Sequence, residues 1–454
     1  MLVKDAIKKV NGLPYVIEHV QVCSSWGKSL LLSQPFMTDA AAIERNLDNL
    51  QRHIAFLERH PQPAHQLVVL LHEINDITKT LQNLKQLQVL DDIELFEIKK
   101  FSLASQKIAE LLRETQYERM ELDDLSKVVE LLDPEGSRIA HFYVYSCYHP
   151  ELEEARKKIL QSEEESEREK LTWEVSQMED SVRQKLTEML QPYREALLRN
   201  LHRLGDLDVL NAKAQMAAEW HLTRPVTATE RTAYTAIFHP QIVATLAERG
   251  GHFQPVDIAL EQGPCLITGA NMSGKTVLLK SLALAQHMFQ FGFYVPAERA
   301  EIVPVEEVIC LIDDQQTEQH GLSSFAAEML SVNEILLQAK RGVKLLALVD
   351  ELARTTNPDE GRRIVNAFVR MMQKYHVMSI VTTHYSGIPA PCRRLRVKGL
   401  TTDKISGEVT PHSLNRYMDY RLTETTSDEV PAEALTIARI FHVDDEFLAL
   451  AKEE

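Results

Sequence analysis

Hydrophobic residues recur at helical spacing through the first half of the chain. Up to about residue 225, apolar positions follow one another at intervals of three and four, as at Ile77, Leu81 and Leu84. This period places apolar side chains on one face of a helix. The opening stretch is an exception, because Tyr15-Val-Ile and Val20-Gln-Val favour short extended pieces. From 150 to about 216 the pattern predicts a pair of long helices with one apolar stripe, formed by Leu186, Leu190, Tyr193, Leu197, Leu201 and Leu204.

The pattern changes after Arg224-Pro225, which interrupts the helical period. Short runs of β-branched residues and leucine then alternate with helical segments, at 265–268, 308–312, 345–349 and 377–382. Continuous apolar runs of this length are typical of strands buried on both faces of a parallel sheet. The chain is therefore predicted to consist of an all-α domain over 1–225 and an α/β domain over 226–454.

Charge and composition narrow the possible partners. The 454 residues include 50 lysines and arginines against 66 acidic residues, a formal net charge of −16. Such a surface repels phosphate backbones, so contact with nucleic acid would need a local basic patch. The sequence has neither a long apolar run nor the apolar start of a signal peptide, so we expect a cytoplasmic protein with no membrane partner. Its five cysteines form no C-x-x-C pair and suggest neither a disulfide framework nor a structural zinc site.

The predicted strand at 265–268 runs directly into a glycine-containing loop and then into a helical segment. The loop has the Walker A spacing G-x-x-x-x-G-K-[ST], and the strand, loop and helix order is the context that supports it. Backbone N–H groups there would surround the phosphates of ATP, with Lys275 on the β- and γ-phosphates and Thr276 on Mg²⁺. The predicted nucleotide-binding residues are Gly269, Asn271, Met272, Ser273, Gly274, Lys275, Thr276 and Val277.

Two further strands end in residues that suit phosphoryl transfer. Asp350 and Glu351 follow the run at 345–349, where Asp350 would hold Mg²⁺ through water and Glu351 would orient and deprotonate the attacking water. Such a pair alone is more often a solvated turn, and the phosphate loop upstream makes the catalytic interpretation stronger. His384 follows the strand at 377–382 and is predicted to sense the γ-phosphate, although a single histidine at a strand end is usually structural.

These residues resemble the MutS family of ATPases, which is related to the ABC-type fold. Four segments match the family in order. They are Gly269-Ala-Asn-Met-Ser-Gly-Lys-Thr276, Gly292-Phe-Tyr-Val-Pro-Ala297, Asp350-Glu-Leu-Ala-Arg-Thr-Thr-Asn-Pro-Asp-Glu-Gly361 and Thr382-Thr-His-Tyr385. In the third segment Ala353 and Thr355 replace two family glycines. The resemblance implies a P-loop ATPase domain, preceded by a helical core with long lever helices and carrying a C-terminal helical dimerisation segment.

The resemblance also implies an assembly. The segment from Asp313 to Met329 is similar to the family's signature segment, in which a serine pair, here Ser323 and Ser324, contacts the nucleotide bound by the partner subunit. It therefore implies a homodimer or a heterodimer with a relative, while an ordinary serine N-cap is the alternative. Phe253 resembles the family residue that stacks on adenine, with an ordinary core aromatic as the alternative.

Departures from the family leave undecided which molecule the ATPase acts on, DNA or another protein; this molecule is called its client below. The core-like segment begins at Trp26, so we expect the mismatch-recognition and connector domains to be missing. Between Ile159 and Val182, where one branch of the family carries a DNA clamp, the sequence is helical and acidic, including the run 163–169.

The first hypothesis is a dimeric ATPase that moves its lever helices in DNA maintenance. The second is a chaperone-like ATPase that reactivates a cobalamin-dependent aminomutase, as truncated relatives are thought to do. A transporter ATPase is disfavoured, because Leu322-Ser-Ser-Phe stands where an L-S-G-G-Q signature would be expected.

Overall fold

The computed structural model describes residues 1–117, 120–138, 141–270, 273–312, 324–401, 414–426 and 434–451. Internal contacts divide the chain into two compact units. The α/β unit comprises Met1–His19, Pro35–Asp48 and Met216–Glu454, and the helical unit comprises Val20–Gln34 and Asn49–Gln215. The return to the α/β unit at Met216 lies close to the predicted boundary at 225. The division differs at the N-terminus, where two segments that the sequence pattern assigns to the helical domain belong to the α/β unit.

The part of the chain up to Glu219 is helical, as the spacing predicts. Its helices are α1 (Val3–Ala6), α2 (Leu13–His19), α3 (Ser25–Ser33), α4 (Ala40–Arg59), α5 (Pro61–Leu71), α6 (Thr78–Lys85), α7 (Asp92–Glu114), α8 (Ser126–Leu132), α9 (Leu152–Gln161), α10 (Glu165–Leu190) and α11 (Arg194–Glu219).

Local chemistry explains where the helices of the helical unit begin and which face they bury. Helix α7 starts at a capping box, in which Asp91 accepts from the N–H of Glu94 and Glu94 accepts from the N–H of Asp91. The leucines of the predicted stripe lie on α10 and α11 and are buried, with Leu190, Leu197 and Leu201 each 0% exposed, while Tyr193 between the two helices is half-buried. The core of this unit therefore consists of the apolar faces that the spacing marks.

The prediction of extended pieces near the start of the chain is wrong. Residues 13–19 form helix α2, and residues 20–23 form no regular element. Leu13 and Val16 are both fully buried, and their spacing of three puts them on one helical face. Burial of that face outweighs the β preference of the branched residues in this segment.

The α/β unit contains two sheets and the remaining helices. These elements are β1 (Val226–Thr227), β2 (Thr232–Ile237), α12 (Pro240–Glu248), β3 (Val256–Leu260), β4 (Pro264–Thr268), α13 (Lys275–Gln290), β5 (Arg299–Ile302), β6 (Glu307–Leu311), α14 (Ser324–Lys340), β7 (Leu345–Val349), α15 (Pro358–Lys374), β8 (Met378–Thr383), β9 (Arg393–Leu400), β10 (Met418–Glu424), α16 (Ala434–Ile440) and α17 (Asp445–Leu450).

The larger sheet has the strand order β10-β9-β4-β8-β7-β6, and the smaller has the order β1-β5-β2-β3. In the larger sheet β9, β4, β8, β7 and β6 are parallel, and β10 pairs antiparallel with β9. The four strands predicted from apolar runs correspond to β4, β6, β7 and β8. Thr268 pairs with Thr383, and Val349 pairs with Val381. The carboxyl ends of β4, β8 and β7 therefore lie next to one another at one edge of the sheet.

Candidate functional site

The loop after β4 has the backbone that a phosphate cradle requires. Gly274 is the N-cap of α13 and has a φ of +82°, in the left-handed region that glycine adopts most readily. A Cβ atom on Gly274 would lie 2.8 Å from the ring of Tyr420, and one on Gly269 would lie 2.8 Å from Ser273 Oγ. Both glycines are thus required by close packing. Asn271 and Met272 lie outside the described residues.

Lys275 is the first residue of α13, and its side chain is buried. It is 4% exposed, and its Nζ donates to the carbonyl oxygens of Gly269 and Ala270 at 2.9 and 3.0 Å. The same ammonium group forms an ion pair with Glu351 at 3.6 Å. Beside it, the buried Ser273 Oγ has no hydrogen-bond partner among the described residues. A buried cation and an unsatisfied hydroxyl at a helix N-terminus fit an anionic ligand such as a phosphate group.

Three oxygen-bearing side chains meet where β4, β7 and β8 end. Thr276 Oγ1 donates to one carboxylate oxygen of Asp350 at 2.5 Å, and Thr382 Oγ1 donates to the other at 2.6 Å. The pairing of Val349 with Val381 makes the next residues on the two strands, Asp350 and Thr382, neighbours. Hydroxyl and carboxylate oxygens are the donors that Mg²⁺ prefers, and Mg²⁺ needs few protein ligands when it also binds phosphates. The residues present therefore fit this metal.

Glu351 is held beside the lysine by its backbone and by two cations. Its N–H donates to Thr382 Oγ1 at 2.8 Å, and its φ of +45° turns the chain sharply after β7. The carboxylate lies 3.6 Å from Lys275 and 3.3 Å from Arg354, and the side chain is 16% exposed. This placement lets a carboxylate accept a proton next to a bound phosphate.

The remaining predicted site residues lie outside the set of contacts described above. His384 follows β8 at the same sheet edge, where it is exposed and its ring centroid lies 4.3 Å from that of Tyr385. Phe253 is half-buried before β3, and Val277 is half-buried in the first turn of α13. Ser323 lies outside the described residues, and Ser324 is the first residue of α14, with a side chain that the structure does not describe.

Sequence reasoning missed three residues around this site. Thr382 bridges Asp350 and the backbone of Glu351, and the threonine pair ending its strand was an available signal. Tyr385 stands in the same matched segment, and its hydroxyl donates to the carbonyl of Ala353 at 2.7 Å. Tyr420 packs against Gly274 from β10 and belongs to no segment with a recognisable pattern.

The parallel sheet, the glycine loop and the lysine-bearing helix together define a P-loop nucleotide-binding fold. Residues 265–453 match the family model described as MutS domain V. The chain is therefore a partial relative of the MutS family.

Several similar proteins carry the name Endonuclease MutS2. That of Pediococcus pentosaceus is 33% identical over 214 residues, which are 46% of this chain and 26% of that protein. That of Thermus thermophilus is 35% identical over 198 residues, 43% of this chain and 25% of the relative. That of Gemmatimonas aurantiaca is 30% identical over 282 residues, which are 60% of this chain and 32% of that protein. The alignments thus span between a quarter and a third of the relatives' length.

In the part of the chain that the structure describes, no helix combines the length and the apolar character needed to cross a bilayer.

Proposed function

We propose that the chain is an ATPase that binds ATP with Mg²⁺ and transfers the γ-phosphoryl group to water. One observation carries the proposal: Lys275, Thr276, Asp350 and Glu351 are linked by direct contacts at one edge of the sheet. These contacts join a phosphate-binding cation, a set of oxygen ligands for a metal and a carboxylate base. The match to MutS domain V supports the same activity.

Each residue has a role that follows from its chemistry. Lys275 would exchange its carbonyl partners for phosphate oxygens, and the N–H groups at the start of α13 would bind the same phosphates. Thr276 and Asp350 would hold Mg²⁺, which supplies positive charge to the phosphate oxygens. Glu351 would accept the proton of the water whose oxygen attacks the γ-phosphorus, and ADP would leave with the bridging oxygen. His384 is proposed to sense the γ-phosphate and Phe253 to stack on adenine.

Two variants test the catalytic assignment. Lys275→Ala should abolish tight ATP binding, measured by titration calorimetry, because it removes the buried cation. Glu351→Gln should bind ATP normally and lose turnover by about 10²- to 10⁴-fold, since the amide keeps the shape and cannot accept the proton. Asp359→Asn is a matched control, because this exposed carboxylate lies at the start of α15. Normal turnover by the Glu351 variant would refute the assignment.

We extend the proposal to a dimer in which Ser323 and Ser324 contact the nucleotide of the partner subunit, and in which hydrolysis moves the long helices α10 and α11. The exposed N-terminus of a helix and a serine hydroxyl favour a γ-phosphate. ATP should shift Glu351→Gln chains toward a dimer in light scattering. Mixing Lys275→Ala chains with Ser323→Ala/Ser324→Ala chains should restore one composite site per dimer. An obligate monomer with an undiminished ATPase rate would contradict this arrangement.

For the client, we propose DNA, in a maintenance role related to that of the MutS family. The names of the similar proteins support a DNA-related role. A duplex or branched DNA should then bind with sub-micromolar affinity at roughly 200 mM salt and be released by ATP. Fluorescence anisotropy with linear, mismatched and four-way DNA measures this directly.

A second candidate is supported by the surface of the α9–α10 hairpin. The side chains of Glu163, Glu164, Glu165, Glu167 and Glu169 are all exposed there, and Trp173 is 65% exposed. Acidic side chains repel a DNA duplex and, with an exposed aromatic ring, fit a basic protein surface. This surface favours a protein client, and the resemblance to truncated relatives suggests which one: the alternative is an ATP-dependent reactivase of a cobalamin-dependent aminomutase. It predicts that the aminomutase raises ATP turnover, while DNA binds only with a Kd of about 10⁻⁴ to 10⁻⁶ M.

A further inference from the structure

The peptide groups around Ala353 are held by two side chains from different parts of the α/β unit. The N–H of Ala353 donates to Glu328 Oε1 at 2.9 Å, and its carbonyl accepts from the Tyr385 hydroxyl at 2.7 Å. Ala353 is 0% exposed and has a φ of +61°. An alanine in the left-handed region is strained by about 1 kcal/mol, so its surroundings must maintain this conformation.

Tyr385 is itself fixed in place. It is 8% exposed, and its N–H donates to Thr383 Oγ1 at 3.0 Å. Gly361, in the first turn of α15, provides the space for the ring, because a Cβ atom there would lie 2.3 Å from the tyrosine hydroxyl oxygen. Burial and then the nearby Glu328 carboxylate raise the pKa of Tyr385, so the hydroxyl stays protonated and can donate. This tyrosine therefore acts as a fixed support for the loop after β7.

Glu328 connects the same loop to a different element. It lies in the second turn of α14, the helix that begins at Ser324. Ala353 follows Glu351 by two residues. Both residues are in the left-handed region, with φ values of +45° at Glu351 and +61° at Ala353. Because a turn with two such residues has few alternative conformations, we expect a shift at Ala353 to displace the carboxylate of Glu351.

We propose that Glu328 and Tyr385 are positioning residues, which fix Ala353 and through it the carboxylate of Glu351, so that a displacement of α14 is transmitted to this carboxylate. The proposal rests on the ATPase activity proposed above, since it assigns the control of that activity to two residues outside the phosphate loop.

Single-turnover ATP hydrolysis and ATP affinity, measured on the full-length chain, test the proposal. Glu328→Ala and Tyr385→Phe should each slow the chemical step by about 10- to 100-fold, because a displacement of about 1 Å is enough for that loss. ATP affinity should stay within about twofold, since the hydrogen bonds that the structure describes for these two side chains go to Ala353 and not to the phosphate loop. Glu328→Gln should restore most of the rate, because the amide oxygen can accept from the N–H of Ala353.

Three further variants sharpen the test. Gly361→Ala should act like Tyr385→Phe, because the added methyl group displaces the hydroxyl. Glu334→Ala and Tyr375→Phe are matched controls on the exposed side of α14 and at the end of α15, and both should turn over ATP at the wild-type rate. The double variant Glu328→Ala/Tyr385→Phe should lose less than the product of the two single losses, since both act on one residue.

The possible outcomes separate the two proposals. A wild-type chain without ATP turnover would overturn the proposed function itself. If the wild type hydrolyses ATP and Tyr385→Phe is as fast as Tyr375→Phe, the positioning role is refuted. A fall in ATP affinity parallel to the fall in rate, or a Glu328→Gln variant as slow as Glu328→Ala, would also refute it. If Glu328→Ala fails to fold, Tyr385→Phe and Glu328→Gln still decide the question.

Discussion

Lys99 of the helical unit and Lys275 of the α/β unit are both buried, and the surroundings of their ammonium groups differ. Lys99, on α7 of the helical unit, is 0% exposed and donates to Asp133 Oδ1, the carbonyl of His141 and the hydroxyl of Tyr145, at 2.9, 2.9 and 3.0 Å. Asp133 in turn accepts from Ser137 and from the N–H of Arg138. The charge of Lys99 is neutralised at hydrogen-bond distance by a carboxylate that itself accepts two further hydrogen bonds.

Within the described part of the chain, Lys275 of the α/β unit donates its hydrogen bonds to neutral groups. The acceptors that the structure describes are two backbone carbonyls, and the ion pair with Glu351 is longer, at 3.6 Å, and shared with Arg354. Carbonyl oxygens solvate a cation without cancelling its charge. Lys99, paired closely with a carboxylate, thus maintains the fold, whereas Lys275, held by backbone carbonyls, keeps its attraction for an anionic ligand.

The strongest test of this comparison is Lys99→Met. It should lower the free energy of unfolding of the helical unit by about 3 to 5 kcal/mol, because Asp133 is left buried without its counter-charge. Urea unfolding followed by Trp26 and Trp173 fluorescence measures this, since both tryptophans lie in that unit. Lys99→Met/Asp133→Leu should recover part of the loss. An unchanged midpoint for the single variant would mean that the pair contributes nothing to stability.

The matched substitution Lys275→Met should weaken ATP binding strongly and change the free energy of unfolding little. ATP affinity should fall by about 100-fold, as expected when charge-assisted hydrogen bonds to phosphate are lost. The free energy of unfolding of the α/β unit should change by less than about 1 kcal/mol, because Glu351 keeps Arg354. Isothermal titration and urea unfolding of one preparation supply both values. A stability loss comparable to that of Lys99→Met would remove the distinction between the two lysines.

Lowering the pH should also destabilise the two units to different extents. Burial lowers the pKa of His287 to about 4, and burial and then Lys280 lower the pKa of His239 to about 4. The unfolded chain binds protons at these residues below about pH 6.5 and the folded α/β unit does not, so stability is lost as pH falls from 6.5 toward 4. At pH 5 each histidine should cost about 2 kcal/mol relative to pH 7.

The helical unit should respond less over that range. Burial opposes ionisation of Asp133, but hydrogen bonds from Lys99, Arg138 and Ser137 together lower the pKa of this carboxyl. Its stabilising contribution therefore persists until the pH falls below about 4. Unfolding at pH 7 and pH 5 distinguishes the units when Trp26 and Trp173 are replaced by phenylalanine, which leaves Trp220 of the α/β unit as reporter. Equal losses in both units would contradict this prediction.

The smallest expected effect concerns the strained loop beside Lys275. Ala353→Gly should change the free energy of unfolding by less than about 0.5 kcal/mol, because relief of the left-handed strain offsets the lost methyl group and the added chain entropy. Ala285→Gly, at a buried position inside α13, should cost about 1 kcal/mol or more. Thermal unfolding of the two variants gives the comparison. A larger loss at Ala353 than at Ala285 would show that its conformation is not strained.

The sequence predicts this chemistry better than the packing that supports it. The phosphate loop and the Asp350-Glu351 pair are contiguous in sequence and follow buried apolar runs, so their positions at the ends of β4 and β7 could be predicted. The contacts of Ala353 with Glu328 and Tyr385 join residues 25 and 32 positions apart and use its backbone, which leaves no side-chain pattern. Helical spacing also says nothing about which unit a helix packs on, and for this reason residues 1–19 and 35–48 were assigned to the other unit.

That division of the α/β unit has a consequence for how the chain is made. Met37 and Gln290 exchange hydrogen bonds, since the N–H of Met37 donates to the Gln290 carbonyl at 2.9 Å and the Gln290 side chain donates to the Met37 carbonyl at 2.7 Å. Synthesis from the N-terminus delivers Met37 to the ribosome exit long before Gln290. Residues 49–215 emerge in between and complete the helical unit, which can fold first. Residues 1–19 and 35–48 cannot pack on the rest of the α/β unit until α13 has been translated. A chain whose synthesis stops before that helix therefore keeps the apolar side chains of these segments unpacked.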